Sequence, residues 1–259
     1  MVNRDVPNER PIRSGPTGPL VVAIDGPSGS GKSSTARGVA TRLGMGFLDT
    51  GAMYRAATWL AIERGIDRAD QAATAALVRR ARIEVTTDPA DPRFAIEGTD
   101  VTTAIRQPEI SAAVSTLATN LDIRADLIAR QRAIIAEATA HGERGIVVEG
   151  RDITSVVAPE AAVRVLLVAD PGARVARRHA ELGADVDQTA VVDQVVRRDR
   201  DDSTVAEFHQ AGHGVTLVDS THLDLDEVVS VICDLARPFD DELAGRTPSI
   251  SGSGSGLKG

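Results

Sequence analysis

The sequence predicts an α/β fold: a five-stranded parallel sheet under helices, with a small antiparallel three-stranded insert. Five short apolar runs, residues 21–25, 46–49, 146–149, 163–168 and 215–219, are separated by stretches with helical periodicity. Four of them end in an acidic residue or lead straight into one. Buried runs that alternate with helices read as βαβ units, whose strands lie parallel and are covered by helices. The insert shows as a change of rhythm. Ile83-Glu84-Val85 and Phe94-Ala95-Ile96 alternate apolar with polar, and Asp88-Pro89-Ala90-Asp91-Pro92 between them is turn chemistry. Gly98-Thr99-Asp100-Val101 continues as a third strand. Ligands of parallel sheets gather at the C-terminal strand ends, so the polar residues just past each run are the candidates for a site.

The first run, Leu20-Val21-Val22-Ala23-Ile24, leads through Asp25 into Gly26-Pro27-Ser28-Gly29-Ser30-Gly31-Lys32-Ser33, with Ser34 next. This fits G-x-x-x-x-G-K-[ST] in the context that gives the pattern meaning: strand, glycine-rich loop, helix. The backbone N–H groups of such a loop and the following helix N-terminus make an anion cradle. Lys32 adds a mobile point charge for the outer phosphates of a nucleoside triphosphate, and the Ser33 hydroxyl is a Mg²⁺ ligand candidate. Lys32 is one of only two lysines; the other, Lys258, lies in a Gly/Ser stretch.

Bulk properties narrow the classes. A chain of 259 residues can bury a substantial core. A net charge of −8 argues against non-specific binding to nucleic acid or anionic membrane, although 27 arginines leave room for a local basic cleft. A single cysteine excludes an intramolecular disulfide. Cys233 sits among Val228, Val229, Ile232 and Leu235 at helical spacing, which reads as a core thiol. No apolar run approaches the ~20 residues of a membrane span, and the N-terminus lacks the apolar segment of a secretory signal. The cytoplasm is the expected location. Residues 1–19 read as a disordered arm and 240–259 as a flexible tail, leaving a folded body over 20–239. His209 and His213 are four apart, but no third ligand accompanies them, so no zinc site is expected.

A phosphate-binding loop alone does not choose between GTPases, motor ATPases and small-molecule kinases. The guanine-selecting N-K-x-D is absent, and the chain is short for a coupled motor, which leaves a kinase of a small acceptor. Three polar clusters are candidates for the acceptor side. In Asp49-Thr50-Gly51-Ala52-Met53-Tyr54-Arg55, a helix starting near Ala52 puts Thr50 near the N-cap and Arg55 in about the first turn. Glu149-Gly150-Arg151-Asp152 follows a strand. In the third, Arg198 and Asp202 are four apart and share a helix face. Arg174 and Arg178, also four apart after Asp170-Pro171, are expected to neutralise charge during transfer, with Arg177 as a further candidate.

At these residues the sequence resembles the bacterial cytidylate kinases, a family of nucleoside monophosphate kinases. IDGPSGSGKS, LDTGAMYR, IRQPEISAAVS, RQR, VVEGRD and RRDxxDS occur in that family's order and approximate spacing, from about residue 21 to about 237. The resemblance implies a three-layer P-loop kinase fold, a monophosphate-binding insert over about 79–115 and a lid over about 172–210. It implies ATP-dependent, Mg²⁺-dependent phosphorylation of CMP and dCMP. ATP phosphates would lie on residues 26–34, with Lys32 as the principal charge. Thr50, Arg55, Arg106 and Arg151 would serve the acceptor nucleotide, Ser115, Arg124 and Asp152 would read cytosine, and Arg198 and Asp202 would hold the ribose. The partners implied are small molecules, with neither nucleic acid nor membrane, and the expected state is a monomer.

The base chemistry is consistent with that assignment. Cytosine offers an amine donor beside two acceptors, so Asp152 can accept from it while Arg124 and Ser115 donate. Two alternatives stay open: a kinase of a different acceptor, and a family member that binds nucleotides with impaired turnover. The second is motivated by Val205, which stands where the family usually carries an arginine.

Overall fold

The computed structural model describes residues 19–140, 144–182, 200, 204 and 210–244. Strand β1 (Leu20–Asp25) is central, and the glycine loop runs from its end into helix α1 (Lys32–Leu43). There follow β2 (Gly46–Asp49), α2 (Thr50–Glu63) and α3 (Gln71–Arg80), then the insert strands β3 (Ile83–Val85), β4 (Phe94–Ile96) and β5 (Thr99–Asp100). A 3-10 turn (Ala104–Arg106), α4 (Pro108–Ala118) and α5 (Leu121–Ala140) lead to β6 (Gly145–Gly150), and a π turn (Ile153–Val157) leads to β7 (Val163–Val168). Helix α6 (Pro171–Leu182), β8 (Thr216–Asp219) and α7 (Leu225–Ala244) complete the described chain. All five expected core strands are present within a residue of their expected ends; α7 runs on past the expected boundary at 239.

The main sheet has the order β2-β6-β1-β7-β8, every pairing parallel. The chain fills one side of β1 first and then crosses to the other, so the order reverses at β1. Crevices at such reversals, beyond the carboxyl ends of the strands, are where open α/β sheets bind ligands. Strand alternation sorts the core into two layers. Val22, Ile24, Phe47 and Val147 pack on the face carrying Val39 of α1 and Val229 and Ile232 of α7. Ala23, Leu48, Ile146 and Val148 pack on the opposite face with Met53 and Leu60 of α2 and Leu127 of α5. Apolar side chains on both faces explain why these strands read as continuous apolar runs.

The insert is a separate antiparallel sheet, β3-β4-β5, pairing Ile83 with Ile96 and Ile96 with Thr99. Gly98, expected inside the third strand, is instead in the β4–β5 turn. Glu97 and Gly98 both have positive φ, 52° and 77°, as a two-residue hairpin turn matched to strand twist requires. Phe94 and Ile96 are fully buried in the same layer as α2, which fastens the insert to the core. Arg37 of α1 also donates to the carbonyl of Pro89 in the β3–β4 loop at 3.1 Å.

Candidate active site

A cavity of about 590 Å³ opens at the C-terminal ends of β1, β2 and β6. That size suits a small-molecule ligand, for which ~300–1,000 Å³ is usual. One end is the glycine loop, where Ser28, Gly29, Gly31, Lys32, Ser33 and Ser34 line the cavity. Gly26, Pro27 and Ser30 complete the loop from behind, all three buried. Gly26 is required by close approach: a Cβ there would lie 2.0 Å from the Leu167 carbonyl oxygen. Gly29 is required by a left-handed φ of 75° and by the Arg174 carbonyl oxygen, 2.5 Å from where its Cβ would stand. Lys32 Nζ donates to the Pro27 carbonyl at 2.8 Å, a bond that folds the ammonium back over its own loop.

The floor carries two buried acids in register on adjacent strands, Asp49 on β2 and Glu149 on β6. Asp49 caps α2: its Oδ1 accepts from the Ala52 N–H at 2.8 Å, and its Oδ2 accepts from Arg55 at 2.8 Å. The helix therefore begins at Thr50 rather than near Ala52. A carboxylate at the N-cap both accepts from the first turn and complements the positive end of the helix dipole, so Asp49 takes the position expected of Thr50. The Thr50 hydroxyl donates instead to the Glu149 carbonyl at 2.8 Å, tying α2 to β6 beneath the cavity. Burial raises the Asp49 carboxyl, but the charges of Arg55 and Arg106 and the Ala52 N–H outweigh it and hold the group below the usual carboxylate range. Burial pushes Glu149 up, and the charge of Asp49 adds to it; Lys32 and the Ser33 hydroxyl, which donates to Glu149 Oε1 at 2.5 Å, oppose the shift only in part.

The far wall brings together Arg55, Arg106, Arg124, Arg151 and Asp152, all lining the cavity. The Arg124 guanidinium pairs with Asp152, and its Nη1 donates to the Ala118 carbonyl at 3.3 Å. Burial raises the Asp152 carboxyl, an effect that Arg124 offsets in part and the nearby Asp25 reinforces. Arg151 donates to the Gly26 carbonyl, bridging this wall to the glycine loop. Arg55 is 12% exposed, and its Nε has no hydrogen-bond partner among the described residues. A buried guanidinium with an unmet donor beside a cleft is suited to an anionic ligand.

Not every expected residue faces the cavity. Ser115 is half-buried on α4 and does not line it, whereas Ser111, one turn earlier, does, together with Val114 and Ala118 on the same helix face. On α6, Arg178 lines the cavity, but Arg174 donates to the Ser28 carbonyl at 3.1 Å. Arg177 Nη1 donates to the Ser30 carbonyl at 3.3 Å and to the Ser220 hydroxyl at 2.9 Å. Arg174 and Arg177 thus hold the outward carbonyls of the glycine loop. Arg198, Asp202, Val205 and His209 lie outside the described residues, as does most of the expected lid.

Sequence reasoning had no role for Asp49, Glu149, Asp25 or Ser111. The acids were visible as the ends of apolar runs, but their pairing across β2 and β6 depends on a register that only the folded sheet supplies. Ser111 shares a helix face with Val114 and Ala118 at spacings of three and seven residues, but that this face lines the cavity is set by the packing of α4.

With this geometry in hand, the comparisons with known proteins are specific. The family model for cytidylate kinase matches residues 22–238. A cytidylate kinase from Cutibacterium acnes is 55% identical over 221 residues, covering 85% of this chain and 96% of that one. Cytidylate kinases from Nocardia farcinica and Streptomyces avermitilis are 44% and 42% identical, covering 82% and 84% of this chain and 90% and 93% of their own. A glycine loop facing an arginine-rich pocket at a strand-order reversal, and this similarity over most of the length, lead to one placement: the chain belongs to the cytidylate kinase family.

Proposed function

We propose that the chain transfers the γ-phosphoryl group of ATP to CMP and dCMP, giving CDP and dCDP. The observation that carries this reading is the Arg124–Asp152 pair, set in the wall of the same cavity whose other end is the glycine loop. An acid accepts from the cytosine amine, whereas uracil presents a carbonyl there and leaves the acid facing an acceptor. Arg55, Arg106 and Arg151 line the same cavity as the base-reading pair and the loop, and the acceptor phosphate would lie among them. That phosphate is already ionised at neutral pH, so its oxygen attacks without a general base. The chain's contribution is to align the two nucleotides in line and to neutralise charge on the moving group, through Lys32, the loop N–H groups and Arg178.

The floor residues fit Mg²⁺. A hard divalent cation takes oxygen ligands, often one or two carboxylates beside substrate phosphates, and Ser33, Glu149 and Asp49 supply oxygens next to the loop. Burial, and after it the charge of Asp49, disfavour the ionised form of Glu149, so a cation beside it is favoured. Bound with ATP, the ion would reduce the charge on the phosphates. Ser33 would hold it, oriented by Glu149. The same reading gives the chain small-molecule partners only and a place in the cytoplasm as a monomer. Among the described residues, no helix is long and apolar enough to cross a membrane.

An ATP-coupled assay across CMP, dCMP, UMP, AMP and GMP tests the proposal. CMP and dCMP should lead by orders of magnitude. UMP or AMP used as well as CMP would remove the base-reading role of Asp152. Tight CMP binding without transfer at saturating ATP would favour a nucleotide-binding protein instead.

A further inference from the structure

Asp152 does not stand on a regular element. It opens the π turn Ile153–Val157, its carbonyl accepting from the Val156 N–H at 2.8 Å and the Val157 N–H at 3.1 Å. A single turn with such wide hydrogen bonds has little stability of its own, and π turns of this kind concentrate at functional sites. Its orientation must come from what holds its ends. At the N-terminal end, Asp25 accepts from the Ile153 and Thr154 N–H groups, each at 2.8 Å, and from the Thr154 hydroxyl at 2.7 Å. At the C-terminal end, Arg132 donates from Nη2 to the Val156 carbonyl at 2.6 Å and from Nε to the Val157 carbonyl at 3.2 Å.

Arg132 closes the Arg130-Gln131-Arg132 motif, which has no part in the chemistry above. It lies on α5, two turns beyond Arg124, whose guanidinium pairs with the Asp152 carboxylate. One helix therefore grips both the acid and the far end of the turn that aims it. Anchors at both ends fix the backbone of Asp152, and with it the direction of a side chain that lies at the edge of the turn.

We propose that Arg132 and Thr154 are positioning residues for acceptor selectivity: with Asp25 they clamp the π turn and aim Asp152 at the base. The proposal rests on the assignment of Asp152 to the base. Asp25 directly precedes the glycine loop, so the two residues farther from the loop are the ones to alter.

The test measures kcat, KM for CMP, KM for ATP and the CMP-to-UMP ratio of kcat/KM in the full chain, for Arg132→Gln, Thr154→Val, Thr154→Ser and Asp152→Asn. Arg132 is exposed, and Thr154→Val keeps shape while removing the hydroxyl donor. Arg132→Gln and Thr154→Val should each raise KM for CMP by ~3- to 10-fold and narrow the CMP-to-UMP ratio, leaving KM for ATP unchanged. Thr154→Ser, which keeps the donor, should stay at the wild-type ratio. If Asp152→Asn narrows the ratio while Arg132→Gln and Thr154→Val do not, the clamp is overturned and the base assignment stands. If Asp152→Asn itself leaves the ratio unchanged, the base assignment fails and the clamp with it. A parallel rise in KM for both nucleotides, tracking a fall in Tm, would reduce Arg132 and Thr154 to structural supports and overturn the proposal.

Discussion

On the proposed assignment, the donor half of the cleft is one unbroken stretch, residues 26–34, whereas the acceptor half gathers Arg55 from α2, Arg106 from the 3-10 turn, Arg124 from α5, and Arg151 and Asp152 from beyond β6. The donor half would bind through backbone N–H groups held in shape by glycines, with one lysine added. The acceptor half would bind through side chains held in place by other side chains: Arg55 by Asp49, Asp152 by Arg124. A backbone cradle is indifferent to the base of its ligand. A pocket of side chains can discriminate between bases, and a single substitution can change its choice.

That division can be broken or sharpened by experiment. The largest effect is expected at Lys32. Lys32→Met should lower kcat by ~10³-fold, the scale of losing one charge-stabilising donor, with CMP affinity by calorimetry nearly unchanged. Loss of CMP binding in this variant would show that the two halves are not separable. Asp152→Asn comes next: kcat/KM for CMP should fall by roughly 10²-fold while that for UMP changes little, read from the same coupled assay. An equal fall for both bases would make the acceptor half as indifferent to the base as the donor half.

Gly29→Ala should destabilise by about 1–3 kcal/mol in thermal unfolding and weaken ATP more than CMP, because the left-handed backbone and the Arg174 carbonyl both resist a Cβ. A smaller effect follows from Glu149. The folded chain holds its proton where the unfolded chain, with an ordinary pKa of 4.5, has released it. The unfolded state then binds fewer protons, so this group's contribution to stability falls as pH rises above about 4.5. The Tm of the wild-type chain relative to Glu149→Gln, measured without nucleotide, should therefore decline from acidic to neutral pH; a constant difference would deny the shift. Asp49 works in the opposite sense, since its lowered pKa gives stability above the ordinary 3.8 that is lost on acidification. The smallest effect is expected for Val205→Arg, which should raise kcat/KM for CMP a few-fold, on the order of one added charge-assisted contact. An unchanged value would show that valine is harmless there.

The two halves also differ in how far they could be read from the residues alone. The glycine loop is a local motif: strand, turn and helix are consecutive, so spacing suffices to place Gly26, Lys32 and Ser33. The strands were legible because both faces of the sheet are covered, and covered strands are continuous apolar runs. Of the acceptor wall, Arg55, Arg151 and Asp152 were legible as polar clusters at strand and helix ends, and Arg106 and Arg124 only through family resemblance. How they meet depends on tertiary distances: Arg124 and Asp152 are 28 positions apart, and Ser33 and Glu149 are 116 apart. The start of α2 was misplaced by two residues because Thr50 and Asp49 are both good caps, and the choice fell to the one with Arg55 beside it.

By itself, then, the sequence determined the parallel sheet, the antiparallel insert and the phosphate loop from local periodicity and spacing, and the kinase class from what the chain lacks, an N-K-x-D motif and the length of a coupled motor. Only the tertiary structure decided that Arg174 and Arg177 face the loop's carbonyls while Arg178 faces the cavity. It alone put Ser111 rather than Ser115 on the cavity wall and joined Asp25, Thr154 and Arg132 around one turn. The physical reason is the same in each case. Helix periodicity says which residues share a face, but what that face meets is set by packing between elements distant in the chain.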